Sequence, residues 1–258
     1  MQALVGTDEN IERIREFLVE PAQAAAVDFL SQGLTAPSQS EYKDGDPQLF
    51  QAATVLRSCQ SGTERLSILD FGAGRGRLAA ALSRDCHGDW LHRVAYIAVE
   101  PQRPLHADIK QAAGHLLGDA PFTDIGALPS RYNEYFDVCI ACNVLHEIRP
   151  TKWREQIQAV LQRLKPEGTL IIMEDQEMPK GEQPHELGFL VLGISELQTL
   201  FSLDQAPRTF VHPDPKYADR LACVEIPANR TTITSETAKR AITDLKNRLE
   251  GAIKEMRT

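Results

Sequence analysis

The residues best suited to binding a ligand lie in a glycine-rich segment that follows a short apolar run. Residues 66–70 are mostly apolar and end in Asp70, and Gly72, Gly74 and Gly76 follow at alternate positions. Glycines let the backbone turn sharply and let a ligand approach the main chain, and the helix expected next adds unpaired N–H donors. The segment therefore predicts a site for a nucleotide-like ligand.

The glycine spacing distinguishes this segment from two other nucleotide-binding loops. A dinucleotide fingerprint reads G-x-G-x-x-G, and a P-loop ends in Gly-Lys-Ser or Gly-Lys-Thr. Here an acid is followed by G-x-G-x-G over residues 70–76, which resembles the first motif of the class I S-adenosylmethionine-dependent methyltransferases. The resemblance implies that S-adenosylmethionine is the cofactor and that it is bound by Asp70, Gly72, Ala73, Gly74 and Gly76.

The resemblance extends along the chain from about Leu66 to Ile226. It implies that Glu100, in Val99-Glu100-Pro101, binds the ribose hydroxyls of the cofactor. An ionised carboxylate suits that role because its hydrogen bonds are charge-assisted. The resemblance also implies that Asp119 binds the adenine amino group.

Polar side chains also follow the apolar run Phe136–Cys142, which resembles the fourth motif of many small-molecule methyltransferases. Ligands of open α/β sheets bind outside the carboxyl ends of the strands, so we expect Asn143 to contact the cofactor or the acceptor. His146 is the candidate catalytic base for an oxygen or nitrogen acceptor, because the ordinary pKa of histidine lies near neutrality. Glu147 is expected to orient His146 or to bind a cationic acceptor.

Short apolar runs alternate with helical patterns from Leu66 onwards, which is typical of βαβ units. We predict a doubly wound α/β fold with a mostly parallel, seven-stranded sheet and an antiparallel edge hairpin. The predicted strands are Leu66–Asp70, Arg93–Val99, a weak one near His115–Leu117, Phe136–Cys142, Thr169–Glu174, Arg208–Val211 and Arg220–Ile226.

Three segments of the chain are distinguished: an N-terminal helical cap over residues 1–60, the cofactor domain over 61–228 and an amphipathic helix over 229–258. Apolar residues at helical spacing predict helices over 11–18, 22–30, 49–57, 153–164, 195–202 and 235–256, with a turn over 165–168. Candidate lid elements are Glu41, Tyr42 and Lys43 and the loop Glu174–His185.

Composition narrows the classes of partner. The formal charge of −8 argues against nucleic acid, since duplex and RNA binding need an excess of Lys and Arg. No apolar run approaches the roughly 20 residues that cross a bilayer, and no signal peptide is evident, so a cytoplasmic enzyme is expected. Cys139 and Cys142 fall in one strand on opposite faces, which favours neither a metal site nor a redox role.

The acceptor stays open at this stage, with a small molecule favoured. One alternative is a catalytically silent methyltransferase-like subunit, which could self-associate or bind a protein through the C-terminal helix. Another is an RNA or protein methyltransferase that receives its substrate through a partner. A nicotinamide-dependent oxidoreductase is disfavoured by the glycine spacing.

Overall fold

The computed structural model describes residues 45–59, 65–85, 92–176 and 190–256. Within them a six-stranded sheet runs in the order β2-β1-β3-β4-β6-β5. Its strands are β1 (Leu66–Phe71), β2 (Val94–Val99), β3 (Phe136–Cys142), β4 (Leu164–Asp175), β5 (Arg208–Thr209) and β6 (Leu221–Pro227). The first four strands are parallel, whereas β6 is antiparallel to β4 and β5 is antiparallel to β6. The predicted α/β class, with its antiparallel edge hairpin, is confirmed.

Helices cover both faces of the sheet. The described residues contain α1 (Pro47–Cys59), α2 (Arg77–Asp85), α3 (His106–Ala113), α4 (Pro150–Leu161), α5 (Ile194–Leu200), α6 (Pro215–Ala218) and α7 (Ser235–Met256). Apolar side chains of α1, α2 and α3 form a buried cluster with one face, and those of α4, α5 and α7 form another with the opposite face. This two-sided packing is what a doubly wound fold requires.

The strand register brings the candidate site residues to one edge. β1 and β2 are buried at every position and pair in parallel from Leu66 opposite Val94 to Phe71 opposite Val99. Burial on both faces explains their mostly apolar sequences. The ends of β1 and β2 therefore lie side by side, which places the glycine turn next to Glu100.

The predicted third strand near His115–Leu117 is wrong. The chain there forms a 3-10 turn over Gly114–Leu116 and meets β2 at one isolated bridge, Tyr96 with Leu117. The reason is that Leu116 and Leu117 lie between two glycines, Gly114 and Gly118, and supply too few apolar residues for a ladder. The described residues thus contain six strands rather than seven.

The predicted turn over 165–168 lies inside β4, not before it. Phe136 pairs with Leu164 and Val138 with Thr169, so four residues of β4 loop out of the ladder with β3. A Cβ on Gly168 would lie 2.9 Å from the carbonyl oxygens of Lys165 and Phe136, so only glycine fits there. We call residues 165–168 the β4 excursion.

The C-terminal helix α7 has the predicted bounds, but its apolar stripe is only partly covered. Ala241 and Leu245 are buried, whereas Leu249 and Ile253 are 46% and 45% exposed. Arg248 donates to Glu196 of α5 at 2.8 Å, which fixes the middle of the helix. Self-association through α7 stays a prediction.

Some predictions fall outside the described residues. They are the helices before residue 45, the lid candidates Glu41, Tyr42 and Lys43, and the part of the candidate lid loop after Gln176.

Cys139 and Cys142 belong to opposite apolar clusters, which confirms their predicted orientation. Among the described helices, none has both the length and the apolar character that a membrane span needs.

Candidate functional site

The glycine turn begins where β1 ends. Gly72, Gly74 and Gly76 have φ values of 79°, 54° and 78°, in the left-handed region that glycine adopts at little cost. The N–H groups of Gly72 and Ala73 donate to the carbonyl oxygen of Val99 at 2.9 and 3.0 Å. These two bonds hold the turn against the end of β2.

Two of the glycines leave no space for a side chain, while the third faces open space. A Cβ on Gly76 would lie 3.0 Å from Cα of Ile109 on α3, and one on Gly72 would overlap the side chain of Val144. A Cβ on Gly74 would meet no described atom within 4 Å. The turn is therefore packed on two sides and accessible at Gly74.

Glu100 follows β2 directly and is held beside the glycine turn. Its Oε2 accepts the N–H of Gly74 at 2.8 Å, and its Oε1 accepts the N–H of Gln102 at 2.8 Å. The side chain is buried, so these backbone donors fix its orientation. The structure brings Glu100 and the glycines together, and its contact with a ribose stays a prediction.

Asp70 lies beneath the turn rather than on its surface. The hydroxyl of Tyr96, on β2, donates to its carboxylate, and both side chains are fully buried. Burial raises the pKa of Asp70 to about 7, although the bond from Tyr96 acts in the opposite direction. Asp70 supports the turn from below, and its predicted contact with the cofactor stays untested.

Asp119 lies next to β2, in the loop that replaces the third strand. The N–H of Gly118 donates to the carbonyl oxygen of Tyr96 at 2.9 Å, which fixes this loop to the sheet. The Tyr132 hydroxyl donates to Asp119 at 2.7 Å and Arg131 forms an ion pair with it. The bond from Tyr132, helped by Arg131, lowers the pKa of Asp119. Its role towards adenine stays a prediction.

Asn143 follows β3 with φ of 57°, a left-handed conformation that asparagine tolerates better than most residues. It forms a reciprocal amide pair with Gln48 of α1, with bonds of 3.0 and 2.9 Å. Its Oδ1 also accepts the N–H of Asp175, at the end of β4, at 3.0 Å. One side chain thus joins the ends of two strands to the first turn of α1.

A second polar contact holds the start of α1. Asp46 caps the helix by accepting the N–H groups of Gln48 and Leu49 at 3.0 and 3.1 Å, and it forms an ion pair with Arg77. Arg77 is the first residue of α2, directly after the glycine turn. We call the Asp46–Arg77 and Gln48–Asn143 contacts together the α1 clasp.

His146 and Glu174 form a buried pair between the loop after β3 and the end of β4. Nδ1 of His146 lies 2.5 Å from Oε2 of Glu174, and each side chain is 1% exposed. The other oxygen, Oε1, accepts the N–H of Leu145 at 2.9 Å. Trp153 donates to the carbonyl oxygen of Leu145 at 3.1 Å. The imidazole is therefore held through Nδ1. Its other nitrogen, Nε2, lies on the side of the ring away from Glu174.

Sequence reasoning missed two residues of this edge. Glu174 holds Nδ1 of His146, a role that was expected of Glu147, whereas Glu147 is exposed. The signal for Glu174 was its position at the end of a predicted strand, like that of Asp70. No local signal marks Gln48, because its partner is 95 residues away.

One family model matches part of the chain. Residues 69–170 match the family model described as a methyltransferase domain. This range runs from the end of β1 into β4 and contains the glycine turn, Glu100 and His146. A search of curated proteins finds no match.

Solved structures share the fold at low sequence identity. The CurJ carbon methyltransferase gives a TM-score of 0.54 at 18% identity, covering 72% of this chain and 56% of that one. The CMeT domain of the citrinin polyketide synthase gives 0.51 at 16% identity, with 69% and 52% covered. This chain thus spans only about half the length of both.

A third solved structure is covered over most of its length. It is the 1,6-didemethyltoxoflavin-N1-methyltransferase of Burkholderia thailandensis, with a TM-score of 0.50 at 21% identity, covering 81% of this chain and 90% of that one. At these identities the likenesses establish the fold, and the family model adds the class. Residues 69–170 form a methyltransferase domain of the class I type, for which S-adenosylmethionine is the cofactor.

Proposed function

We propose that this chain transfers the methyl group of S-adenosylmethionine to an oxygen or nitrogen atom of a small molecule. The observation that carries the proposal is that one edge of the sheet holds both the glycine turn with Glu100 and the buried His146–Glu174 pair. One solved neighbour is named as a carbon methyltransferase, and another is named as an N1-methyltransferase of 1,6-didemethyltoxoflavin.

The residues at the ends of β1 and β2 fit S-adenosylmethionine. Gly74 is open to a ligand, and Glu100 presents a carboxylate beside it for the ribose hydroxyls. Asp70 supports the turn, Asp119 lies beside β2 for the adenine, and Asn143 lies at the end of β3. The cofactor supplies a methyl group on a positively charged sulfur, and these residues orient it and exclude water.

His146 is proposed as the base that takes a proton from the acceptor. Glu174 accepts a hydrogen bond from Nδ1, which places the proton of the neutral ring there and leaves Nε2 as the proton acceptor. The carboxylate also stabilises the imidazolium that forms. His146 is 1% exposed, so the acceptor has to displace the groups that cover it.

A catalytically silent subunit is the second candidate, and the burial of His146 favours it. In that case the His146–Glu174 pair would serve only to connect β3 and β4. The two candidates differ in turnover and not in cofactor binding.

Calorimetric titration with S-adenosylmethionine, S-adenosylhomocysteine and NAD tests the cofactor half. We expect binding of the two adenosyl ligands alone, weakened at least about tenfold by Glu100→Ala, since charge-assisted bonds are lost. Glu155→Ala, which removes an exposed acid on α4, is the matched control and should bind normally. Binding of NAD, or equal affinity in Glu100→Ala, would contradict the proposed site.

A turnover screen over oxygen, nitrogen and carbon acceptors tests the proposed methyl transfer. On any acceptor that is methylated, Glu174→Gln should lower kcat by about 10²-fold or more while cofactor affinity is kept, because the base loses its partner. The exposed Glu167→Gln is the control. Cofactor binding without turnover on any acceptor would favour the silent subunit.

A further inference from the structure

The segment that carries Asp119 runs beside β2 and bulges away from it. An isolated parallel bridge joins Phe122 to Val99, five residues after the bridge at Leu117. Over the same distance β2 advances by only three residues, so the chain between the two bridges protrudes. The N–H of Glu100 then donates to the carbonyl oxygen of Phe122 at 2.8 Å. Asp119 therefore lies on a protrusion that ends beside the proposed ribose carboxylate.

Tyr132 approaches Asp119 from a position that packing determines. Its side chain is only 6% exposed. Its ring stacks on that of Phe136 at 5.5 Å and meets the ring of Tyr135 edge-on at 5.1 Å. Because these contacts hold the ring, the place of the hydroxyl group is set by the core and not by the bond that it donates.

The Tyr132 hydroxyl occupies one oxygen of the Asp119 carboxylate and leaves the other accessible. Oδ2 accepts both the hydroxyl, at 2.7 Å, and the guanidinium group of Arg131. Oδ1 accepts no hydrogen bond within the described parts of the chain. It is not buried, and the Asp119 side chain as a whole is 34% exposed. A carboxylate held through one oxygen presents the other as an acceptor for a ligand.

Arg131 is the weaker of the two supports. Its side chain is 60% exposed and lies over the Tyr132 ring at 4.8 Å. Ion pairs between exposed side chains contribute little, since water screens them and ordering a long side chain costs entropy. The buried hydroxyl of Tyr132 therefore determines the orientation of Asp119.

A carboxylate acceptor distinguishes purine rings by the group at position 6. The amino group of adenine offers an N–H there, whereas a purine with hydrogen at that position offers none. The bond from Tyr132 lowers the pKa of Asp119, which keeps the group ionised and unable to donate. Hydrogen bonds weaken steeply when they are misaligned, so the selectivity depends on the orientation of Oδ1.

We propose that Tyr132 is a positioning residue that makes the cofactor site selective for adenine. It holds Asp119 through Oδ2, so that Oδ1 accepts the exocyclic amino group. This inference rests on the proposed function, in which Asp119 binds the adenine of S-adenosylmethionine, and it adds the residue that sets the selectivity.

Two ligands that differ by one amino group test the proposal. S-adenosylhomocysteine and its analogue with hydrogen at position 6 of the purine are titrated into the full chain in a calorimeter. We expect the parent to prefer S-adenosylhomocysteine by at least about tenfold, because the analogue lacks the donor for the carboxylate. Tyr132→Phe should reduce this preference to less than about threefold, by weakening the binding of S-adenosylhomocysteine alone.

Three further variants identify the group responsible. Tyr135→Phe is the matched control, because the Tyr135 hydroxyl makes no hydrogen bond within the described residues, and the preference should persist. Arg131→Gln should also keep most of the preference, since its ion pair is exposed. Asp119→Ala should abolish it, and adding Tyr132→Phe to Asp119→Ala should change it no further.

The analogue separates selectivity from general damage. An equal loss of affinity for both ligands in Tyr132→Phe would show that the hydroxyl only stabilises the fold, and would overturn the proposal. A preference that survives in Tyr132→Phe but disappears in Arg131→Gln would overturn it as well.

The parent alone separates this inference from the proposed function. Equal affinity for the two ligands, weakened for both by Glu100→Ala, would leave the cofactor site in place and refute the selectivity. Binding of neither ligand would refute the proposed function and this inference together.

Discussion

The buried Asp70–Tyr96 pair makes stability sensitive to pH at the position that supports the cofactor turn. A carboxyl group without access to water is favoured in its neutral form. The pKa of Asp70 is raised to about 7 by burial, against an ordinary value near 4. The folded chain therefore binds this proton more tightly than the unfolded chain does.

We predict that Asp70→Asn removes a loss of stability that occurs as the pH rises. The contribution of Asp70 is complete below about pH 4 and is lost as the pH rises towards about 7, because the folded state then buries a charge. Asparagine does not titrate, and its oxygen can still accept the bond from Tyr96. The free energy of unfolding of the variant should therefore depend less on pH across this window.

Urea unfolding of the parent and the variant at several pH values between about 4 and 8 measures this difference. Asp204→Asn, at an exposed position, is the control and should follow the parent. Identical pH dependence in Asp70→Asn and the parent would show that folding does not shift the pKa of Asp70, which would contradict the prediction.

Single residues were predictable from sequence where the signal is local. Asp70, Gly74 and Glu100 belong to short motifs, so their meeting at one edge follows once the strands are placed. Gln48 and Glu174 act through partners that are 95 and 28 residues away, and a single sequence carries no record of such pairing.

At the scale of elements, α1 is connected to the site by polar contacts as well as by its apolar face. The α1 clasp joins its first turn to the residue after β3 and to the first residue of α2. The position of α1 therefore affects the residues that follow β1 and β3.

We predict that Gln48→Ala loosens α1 and lowers the free energy of unfolding by about 1–3 kcal/mol. The reason is that Asn143 then loses two hydrogen bonds, one at its side-chain oxygen and one at its side-chain nitrogen. Hydrogen exchange should speed up at the amides of the first turns of α1. Gln111→Ala, an exposed helical glutamine on α3, is the control. Unchanged exchange in Gln48→Ala would show that apolar packing alone holds the helix.

Elements with strong periodicity were predicted with accurate bounds, as β3 and α7 show. Elements whose bounds depend on pairing with a distant strand were not predicted accurately. The third strand fails because two leucines between glycines cannot sustain a ladder. The sequence of the β4 excursion predicts a turn because its prolyl and glycyl residues are typical of one. That pairing already begins at Leu164, before the excursion, depends on β3 and has no local signal.

At the scale of the whole molecule, burial makes the described thiols unreactive. It raises the pKa of Cys59 to about 11 and that of Cys223 to about 12, and it raises those of Cys139 and Cys142 further above their ordinary range. Thiolate is the reactive form, so almost none is present at neutral pH.

We predict that, in a Cys86→Ser background, a thiol reagent at about pH 8 modifies the folded chain only as fast as the chain unfolds. Cys86 is replaced because it lies outside the described residues. Mass spectrometry should show all four remaining thiols modified together in urea and hardly any in its absence. Rapid modification of one thiol without urea would reveal local opening near that residue.

The β4 excursion gives the molecule a point of attachment far from its chemistry. Pro166 and Glu167 are exposed at the amino end of the sheet, beside Phe136, where β3 begins. The cofactor turn and His146 lie at the other end, about 20 Å away along the strands. A fluorophore, spin label or surface linker placed at Glu167 would therefore leave the reactive edge free, and immobilised molecules would all present that edge to the solution.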